Sequence, residues 1–255
     1  MFRYGLKEVA DVVFYNIATG KPELFFDTLK VSTIENESES AEARGGRGNP
    51  RRISWDFGRN ATLTMQDALL SDVSLSMLAG TNVRKEGIKV NGREVVAVNG
   101  GKITLKSEPT DSKTVHGFLY KNGVMTTALT LTQDTNQQEF NVEGAEDGDQ
   151  VIVFYEYLAP TGSTQVTFTG KDFPATYRVV GDTLGRGEDG IDRVMQFIIP
   201  RAKLQSTFSL TMDVENVSTF DFNLEIMTEP GQESNLYHVI HLPDETDLSG
   251  DLGNL

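Results

Sequence analysis

His238 and His241 form H-x-x-H, a spacing that metal sites can use on a helix. Here they sit on an extended arm, with Pro243 directly after, and an extended backbone sends residues three apart to opposite faces. Neither position has an obvious third ligand, so no metal role is expected. His116, the remaining histidine, lies alone among strand residues and reads as a packing or surface residue. Gly185–Asp192 gathers Glu188, Asp189 and Asp192 with three glycines, which are oxygen donors of the kind calcium takes. Their spacing departs from an EF-hand loop, and a solvated hairpin turn is the reading. Gly45-Gly46-Arg47-Gly48 lacks the Gly-Lys-Ser/Thr ending of a phosphate loop and follows an acidic run instead of a buried strand. There is no Gly-x-Ser-x-Gly elbow and no carboxylate pair placed as an acid/base couple. The chain has no cysteine, hence no thiol nucleophile or thiolate metal site. The expectation is a protein with no catalytic residue, no cofactor and no metal.

Charge narrows the partners. A formal net charge of −14 over 255 residues argues against tight nucleic-acid binding, which draws its affinity from cations neutralising phosphates. An acidic surface can still pass DNA without gripping it. The start, Met1-Phe2-Arg3-Tyr4-Gly5, has no basic-then-apolar signal pattern, and no later run reaches membrane-spanning length. A soluble chain made in the cytoplasm, with no membrane insertion, is expected.

The elements that would position any site are mostly strands. Phe208, Leu210, Met212 and Val214 alternate with Ser209, Thr211, Asp213 and Glu215. After Asn216, Val217 and Ser218, Phe220, Phe222, Leu224 and Ile226 alternate with Asp221, Asn223 and Glu225. That predicts a β-hairpin with one apolar face and one acidic, hydroxyl-rich face, and the acidic face must meet water or a partner. Residues 12–34 give an early strand (Val12, Phe14), a Gly20-Lys21-Pro22 turn and an extended segment through Leu29 and Val31. Glu35–Arg52 reads as a mobile polar loop, acidic first (Glu35, Glu37, Glu39, Glu42) and basic second (Arg44, Arg47, Arg51, Arg52). The chain returns as a strand in which Ile53, Trp55 and Phe57 alternate with Ser54, Asp56 and Gly58, with a second short run at Leu63 and Met65. Asp67–Leu78 shifts to a 3.6 period, and Gly80 follows as a helix stop.

From Arg84 to about Pro160 short strands crowd together, with turns expected at Asn91-Gly92, Asn99-Gly100-Gly101 and Asn122-Gly123. Its stretch Asp134–Asp149 holds six acids and no Lys or Arg, an outward soluble edge. The aromatics Phe118, Tyr120, Phe140, Phe154, Tyr155 and Tyr157 mostly take core-like positions. Residues 84–161 read as an inserted β-sandwich domain, since the segments on either side each have one wet face that wants a common sheet. Residues 231–255 read as an acidic arm, sticky only around Leu236–Leu242, that docks on a neighbour or frays.

The run RGGRGNPRRISWDF at 44–57 with LTMQDALLS at 63–71 resembles the major tail tube proteins of tailed bacteriophages. FPATYRVVGD at 173–182 and QFIIPRAKL at 196–204 resemble the closing half of the same domain. The resemblance covers roughly 1–83 and 162–230, a discontinuous tail tube domain around the insert. It implies a mainly all-β fold: a sandwich or barrel with one short flanking helix, and long hairpins that join those of neighbours in a closed intersubunit barrel. Six subunits would form a ring, and stacked rings a channel for DNA. By that pattern the Glu35–Arg52 loop reaches the adjacent ring and pairs charges across it. Asp213, Glu215, Asp221 and Glu225 line or adjoin a negative lumen.

The resemblance also implies partners: further copies of the chain, tape measure, tail terminator and baseplate proteins, a sheath in some tails, and genomic DNA passing without specific binding. The place implied is the virion tail. One rival reading is a single-ring tail terminator or baseplate hub of the same fold. Another is a cell-surface or carbohydrate-binding β module with the insert as its sticky part.

Overall fold

A computed structural model describes residues 3–6, 8–209, 219–229, 231 and 234–242. The fold is mainly β, as expected. Strands β1 (Tyr4–Leu6), β2 (Asp11–Asn16), β3 (Pro22–Phe26), β4 (Leu29–Arg44) and β5 (Arg51–Asp67) lead to helix α1 (Asp72–Ala79). Next come β6 (Lys89–Ala97), β7 (Lys102–Thr104), β8 (His116–Lys121), β9 (Val124–Gln133), β10 (Glu139–Glu143) and β11 (Gln150–Leu158). The chain then forms β12 (Thr176–Gly187), β13 (Asp192–Leu204), β14 (Phe220–Ile226) and β15 (His238–His241). Two compact units result, one holding Val83–Gln165 and one holding the chain on either side of it.

The first unit is a nine-stranded antiparallel sheet in the order β3-β2-β12-β13-β14-β5-β4, with β1 on β12 and β15 on β13. Alternation, interrupted in β12 and β13, turns one side of the central strands inward. Val12 and Phe14, Tyr177 and Val179, Phe197 and Ile199, Phe222 and Leu224, and Leu63 and Met65 share one core with Phe26. Each such side chain contributes about 1.5–3 kcal/mol when fully buried. A chain of edge-to-face rings crosses that core: Tyr177 to Phe14 at 5.6 Å, Phe14 to Phe26 at 5.4 Å, and Phe26 to Phe222 at 4.9 Å.

Helix α1 closes the core with Met77 and Leu78. It starts at Asp72, not Asp67, because Ser71 and Ser74 form a reciprocal capping box. Asp67 instead ends β5, its buried carboxylate accepting from Thr28 Oγ1 at 2.6 Å and from the Leu69 N–H at 3.2 Å. Gly80 ends the helix in the left-handed region at φ 67°.

Two expectations change here, and a third falls partly outside the described residues. Glu35–Arg52 is not a loop: Glu35 to Arg44 continue β4, Arg51 and Arg52 open β5, and only Gly45–Pro50 turns. The long partner strand supplies backbone hydrogen bonds, so a polar sequence holds extended form without a core beneath it. In the expected hairpin, the second run is β14, with Phe222, Leu224 and Ile226 buried. Leu210–Ser218, including Asp213 and Glu215, lie outside the described residues. And His238–His241 of the C-terminal arm pairs with β13 of the same chain, where Ile198 faces His238 and Met195 faces His241.

In the second unit the order is β6-β11-β8-β9-β10-β7. Strands β6 and β7 sit at opposite ends of that path although a short turn joins them. The sheet must therefore curl until its edges approach, enclosing Val98, Ile103, Phe140, Val151, Val153 and Tyr155. Asn122-Gly123 is the expected tight turn, with φ 52° and 79°. Asn91-Gly92 is not a turn; both lie inside β6, opposite Glu156 and Tyr155. Gly92 is small because a Cβ there would meet the Tyr157 ring at 2.9 Å. Phe118 and Phe154 also depart from the core-like reading. They pack edge to face at 6.3 Å outside the buried cluster.

A Cβ on Gly80 would lie 2.3 Å from the Phe173 carbonyl oxygen, on top of the left-handed backbone. Gly80→Ala is expected to cost upwards of about 2 kcal/mol, lowering the thermal midpoint by roughly 2–4 °C per kcal/mol. Gly20→Ala, with φ 67° but open space around it, should lose only the smaller backbone part, about 1 kcal/mol. Calorimetric melts of the two variants check this.

Candidate functional site

Strands β4 and β5 pair from Leu29 opposite Asp67 out to Arg44 opposite Arg51. Near the sheet, β5 alternates between buried and half-exposed residues from Ala61 to Asp67; from Arg51 to Asn60 every residue is exposed. That outer part reaches about 33 Å beyond the last core pair, at about 3.3 Å per residue. It is a two-stranded arm with no layer of the described residues packed on it.

A bulge divides the arm from its root. Between the pairs Glu37–Asn60 and Glu39–Phe57 the chain advances two residues on β4 but three on β5, with Gly58 at φ 61°. Directly opposed residues share a face. Leu63 therefore shares the core side with Ile34, whereas Phe57, Trp55 and Ile53 share the other side with Glu39, Ala41 and Ala43. The extra residue moves β5's odd positions across the sheet. Ile53, Trp55 and Phe57 become an outward apolar stripe, each about half exposed at 51%, 54% and 51%.

The arm's charges pair partly within the chain. Glu42 accepts from Arg51 Nη1 at 2.6 Å and Arg44 Nε at 2.9 Å, and Arg52 Nε donates to the Gly45 carbonyl at 3.2 Å across the turn. Arg47 stands at the exposed tip. Glu35, Glu37 and Glu39 line the other side of β4, exposed. The eight charged residues expected to act as one loop thus divide between two faces.

Asp221 and Glu225 are exposed on the sheet side opposite the core. Asp221 accepts from Gln66 Nε2 at 3.0 Å. Register draws a row across four strands: Glu35, Thr62, Glu225 and Lys203. The structure therefore places Glu35 with Asp221 and Glu225 on one face, and adds Lys203 and the hydroxyls of Thr62 and Thr64, which sequence reasoning did not single out. The signal for the arm's sidedness was present in the sequence, in the broken alternation at Gly58-Arg59-Asn60.

A second acidic group lies on the same sheet, where Asp11 faces Asp182 across β2 and β12. Burial, then the neighbouring Asp27 and Asp182 charges, push the Asp11 carboxyl up. Asp182 itself accepts from Gln196 Nε2 at 2.7 Å.

The chemistry-bearing residues of the sequence are engaged otherwise. Arg186 donates to both Asp192 oxygens, at 2.6 and 2.5 Å, and Arg193 to both Asp189 oxygens, at 3.1 and 2.7 Å. The Arg193 guanidinium is the main cause holding Asp189 down at about 2. His238 Nε2 lies 3.7 Å from Glu229 Oε2, and the His241 ring packs on Tyr4 at 4.7 Å. Among the described residues no group of three or more His, Asp or Glu is arranged to hold a metal ion, and no helix is long and apolar enough to cross a membrane.

Comparison with known proteins gives one finding: the model of the YomU/Tube protein family matches residues 4–239. No curated protein matches the chain.

The raised Asp11 carboxyl has a signed consequence. The folded chain holds that proton more tightly than the unfolded chain, so Asp11 subtracts stability as pH climbs from the unfolded value, about 3.9, through the raised folded one. Asp182→Asn removes one repelling charge. It should lower the Asp11 pKa and stabilise the chain at neutral pH by a few tenths of a kcal/mol, on the surface-charge scale of about 0.2–1 kcal/mol, with no gain below about pH 3. Carboxyl carbon NMR titration and melts at both pH values measure the effect.

Proposed function

The chain belongs to the YomU/Tube protein family, a structural component of the phage tail tube, and from that premise we propose that its copies close into hexameric rings that stack into a channel for genome delivery. The observation that carries this reading is the β4–β5 arm, which leaves its own core with an apolar stripe uncovered. A lone two-stranded ribbon is marginal in water, and apolar surface of this kind marks a contact still to be made.

In this reading the row Glu35–Thr62–Glu225–Lys203 and the neighbouring Asp221 face the channel. Asp213 and Glu215 are assigned to the same lining from the sequence alone. The acids set a negative potential that repels phosphates, the hydroxyls between them keep the wall wet, and Lys203, the cation of the row, stands opposite Glu225, which offsets its charge. Glu37, Glu39, Glu42, Arg44, Arg47, Arg51 and Arg52 travel out with the arm to the adjacent ring. The role is structural, with no catalytic step. The chain is made in the host cytoplasm and works in the virion tail, meeting tape measure, terminator and baseplate proteins and, where the tail contracts, a sheath.

Closing strands into a ring removes sheet edges that would otherwise pair at random. A terminator or hub of the same fold would stop at one ring, so length of assembly separates the two.

Negative-stain electron microscopy of the purified chain, concentrated at moderate salt, should show hollow filaments of stacked rings. Single rings only would assign the chain to a cap, and persistent monomers would overturn the reading. Deleting Ala43–Asn49 should leave a folded subunit, since none of those residues is in the core, but abolish stacking; normal filaments from that deletion would remove the arm tip from the interface.

A further inference from the structure

The direction of the apolar stripe identifies what covers it. Glu39, Ala41 and Ala43 lie on the same side of β4 as Glu35 and Glu37, so their partners Phe57, Trp55 and Ile53 share the face that carries Thr62 and Glu225. If that face lines the channel, the arm leaves its own ring with three large apolar side chains turned toward the axis. Together they expose on the order of 300 Å², taking about half of the 150–250 Å² an aromatic side chain can bury. Left bare they would offer DNA bases a stacking platform, the opposite of a surface that lets DNA slide. They are covered if the arm runs along the outside of the next ring, its channel side against that ring's outer layer.

The outer layer of the first unit is the side where α1 covers the sheet. There a groove of about 390 Å³ opens between α1 and the segment before β12, walled by Val73, Met77, Gly80, Phe173 and Tyr177. Val73 and Phe173 are exposed at 45% and 67%. The lining carries Glu23 and no lysine or arginine, while Arg44–Arg52 carries four arginines and no acid. The arm cannot reach its own groove without breaking its pairing, because its outer residues stay paired, bulges included, over about 33 Å away from the core.

We propose that the Ile53–Trp55–Phe57 stripe of one copy docks in the α1–Phe173 groove of a second copy in the adjacent ring. The docking rests on the tube reading above, and its occupant is another copy of this chain. Apolar side chains fill the groove, and the arginine-bearing tip lies along its acidic rim. Stacking then buries the stripe that the isolated subunit exposes.

Two properties of the chain make the test direct: it has no cysteine, and Trp55 is its sole tryptophan. Emission of the wild-type chain should shift to the blue as filaments form, because Trp55 leaves water. Two full-length double variants, Ile53→Cys with Val73→Cys and Phe57→Cys with Val73→Cys, are treated with a short bismaleimide after assembly. A ladder of covalent multimers on a denaturing gel is expected from both, far stronger than from any single variant. Melts of the unassembled variants confirm folding, since all three positions are exposed. Filaments that form without a ladder in either pair, or without a shift in emission, overturn the docking and leave the tube standing. A wild-type chain that never assembles overturns both.

Discussion

The register of β5 is the constraint on which the free arm and the acidic face depend. This one strand pairs with β14 on one side and β4 on the other, and it must serve a core and a free arm in the same run. With a period of two, an uninterrupted strand would keep Ile53, Trp55 and Phe57 on the side of Leu63 and Met65, beside the Glu42–Arg44–Arg51 ion pairs. One extra residue at Gly58 reverses that. The reversal needs φ near 61°, which an L side chain adopts only at a cost of roughly 1 kcal/mol. A glycine on an exposed arm, where a Cβ would meet the Glu39 side chain at an ordinary 3.8 Å, thereby decides which way a tryptophan faces.

The face opposite the core is acidic without being a block of like charge. Glu35 and Glu225 are separated by Thr62, Asp221 is held by Gln66, and Lys203 stands beside Glu225. Directly opposed like charges destabilise a sheet, so spacing them with hydroxyls lets the strands pair. The field still reaches outward, because the Debye length is about 8 Å at physiological salt, comparable to the spacing between neighbouring strand rows. Asp11 shows the opposite case: facing Asp182 with no residue between them, its carboxyl is pushed up by burial first and then by the Asp27 and Asp182 charges.

Alternation made β2, β5 and β14 legible, and Gly80 marked the end of the helix, because these signals are local. Asn122-Gly123 was legible for the same reason. Glu35–Arg44 was not: ENESESAEAR has the composition of a loop and becomes a strand because β5 templates it through the backbone. Asp67 was absorbed into a helical period that the Ser71 cap actually begins, and Gly92 looked like a turn although the tyrosines packed over it demand its smallness. The eight charges of the arm were legible as residues but not as two faces, since facing depends on a bulge that only pairing reveals. The same holds for β15, whose partner β13 lies about 40 residues earlier and is set by an edge that β14 leaves open.

The insert is attached so that none of this register passes through it. Arg84 and Gln165 exchange two backbone hydrogen bonds at 2.9 Å, zipping its entry to its exit, and Thr81 Oγ1 donates to the Thr167 carbonyl at 2.9 Å just outside. A segment whose ends are tied together substitutes for a short loop between α1 and β12, and the entropy of closing a loop grows only slowly with its length. Val83–Gln165 also brings its own core, built on Val98, Phe140 and Val153. Substitutions within it therefore need not disturb Gly80 against Phe173, or the pairing of β5 with β14. Selection can act on the half-exposed Phe118 and Phe154 of the insert independently of the arm and groove, which in the proposed docking must remain complementary to each other in every copy.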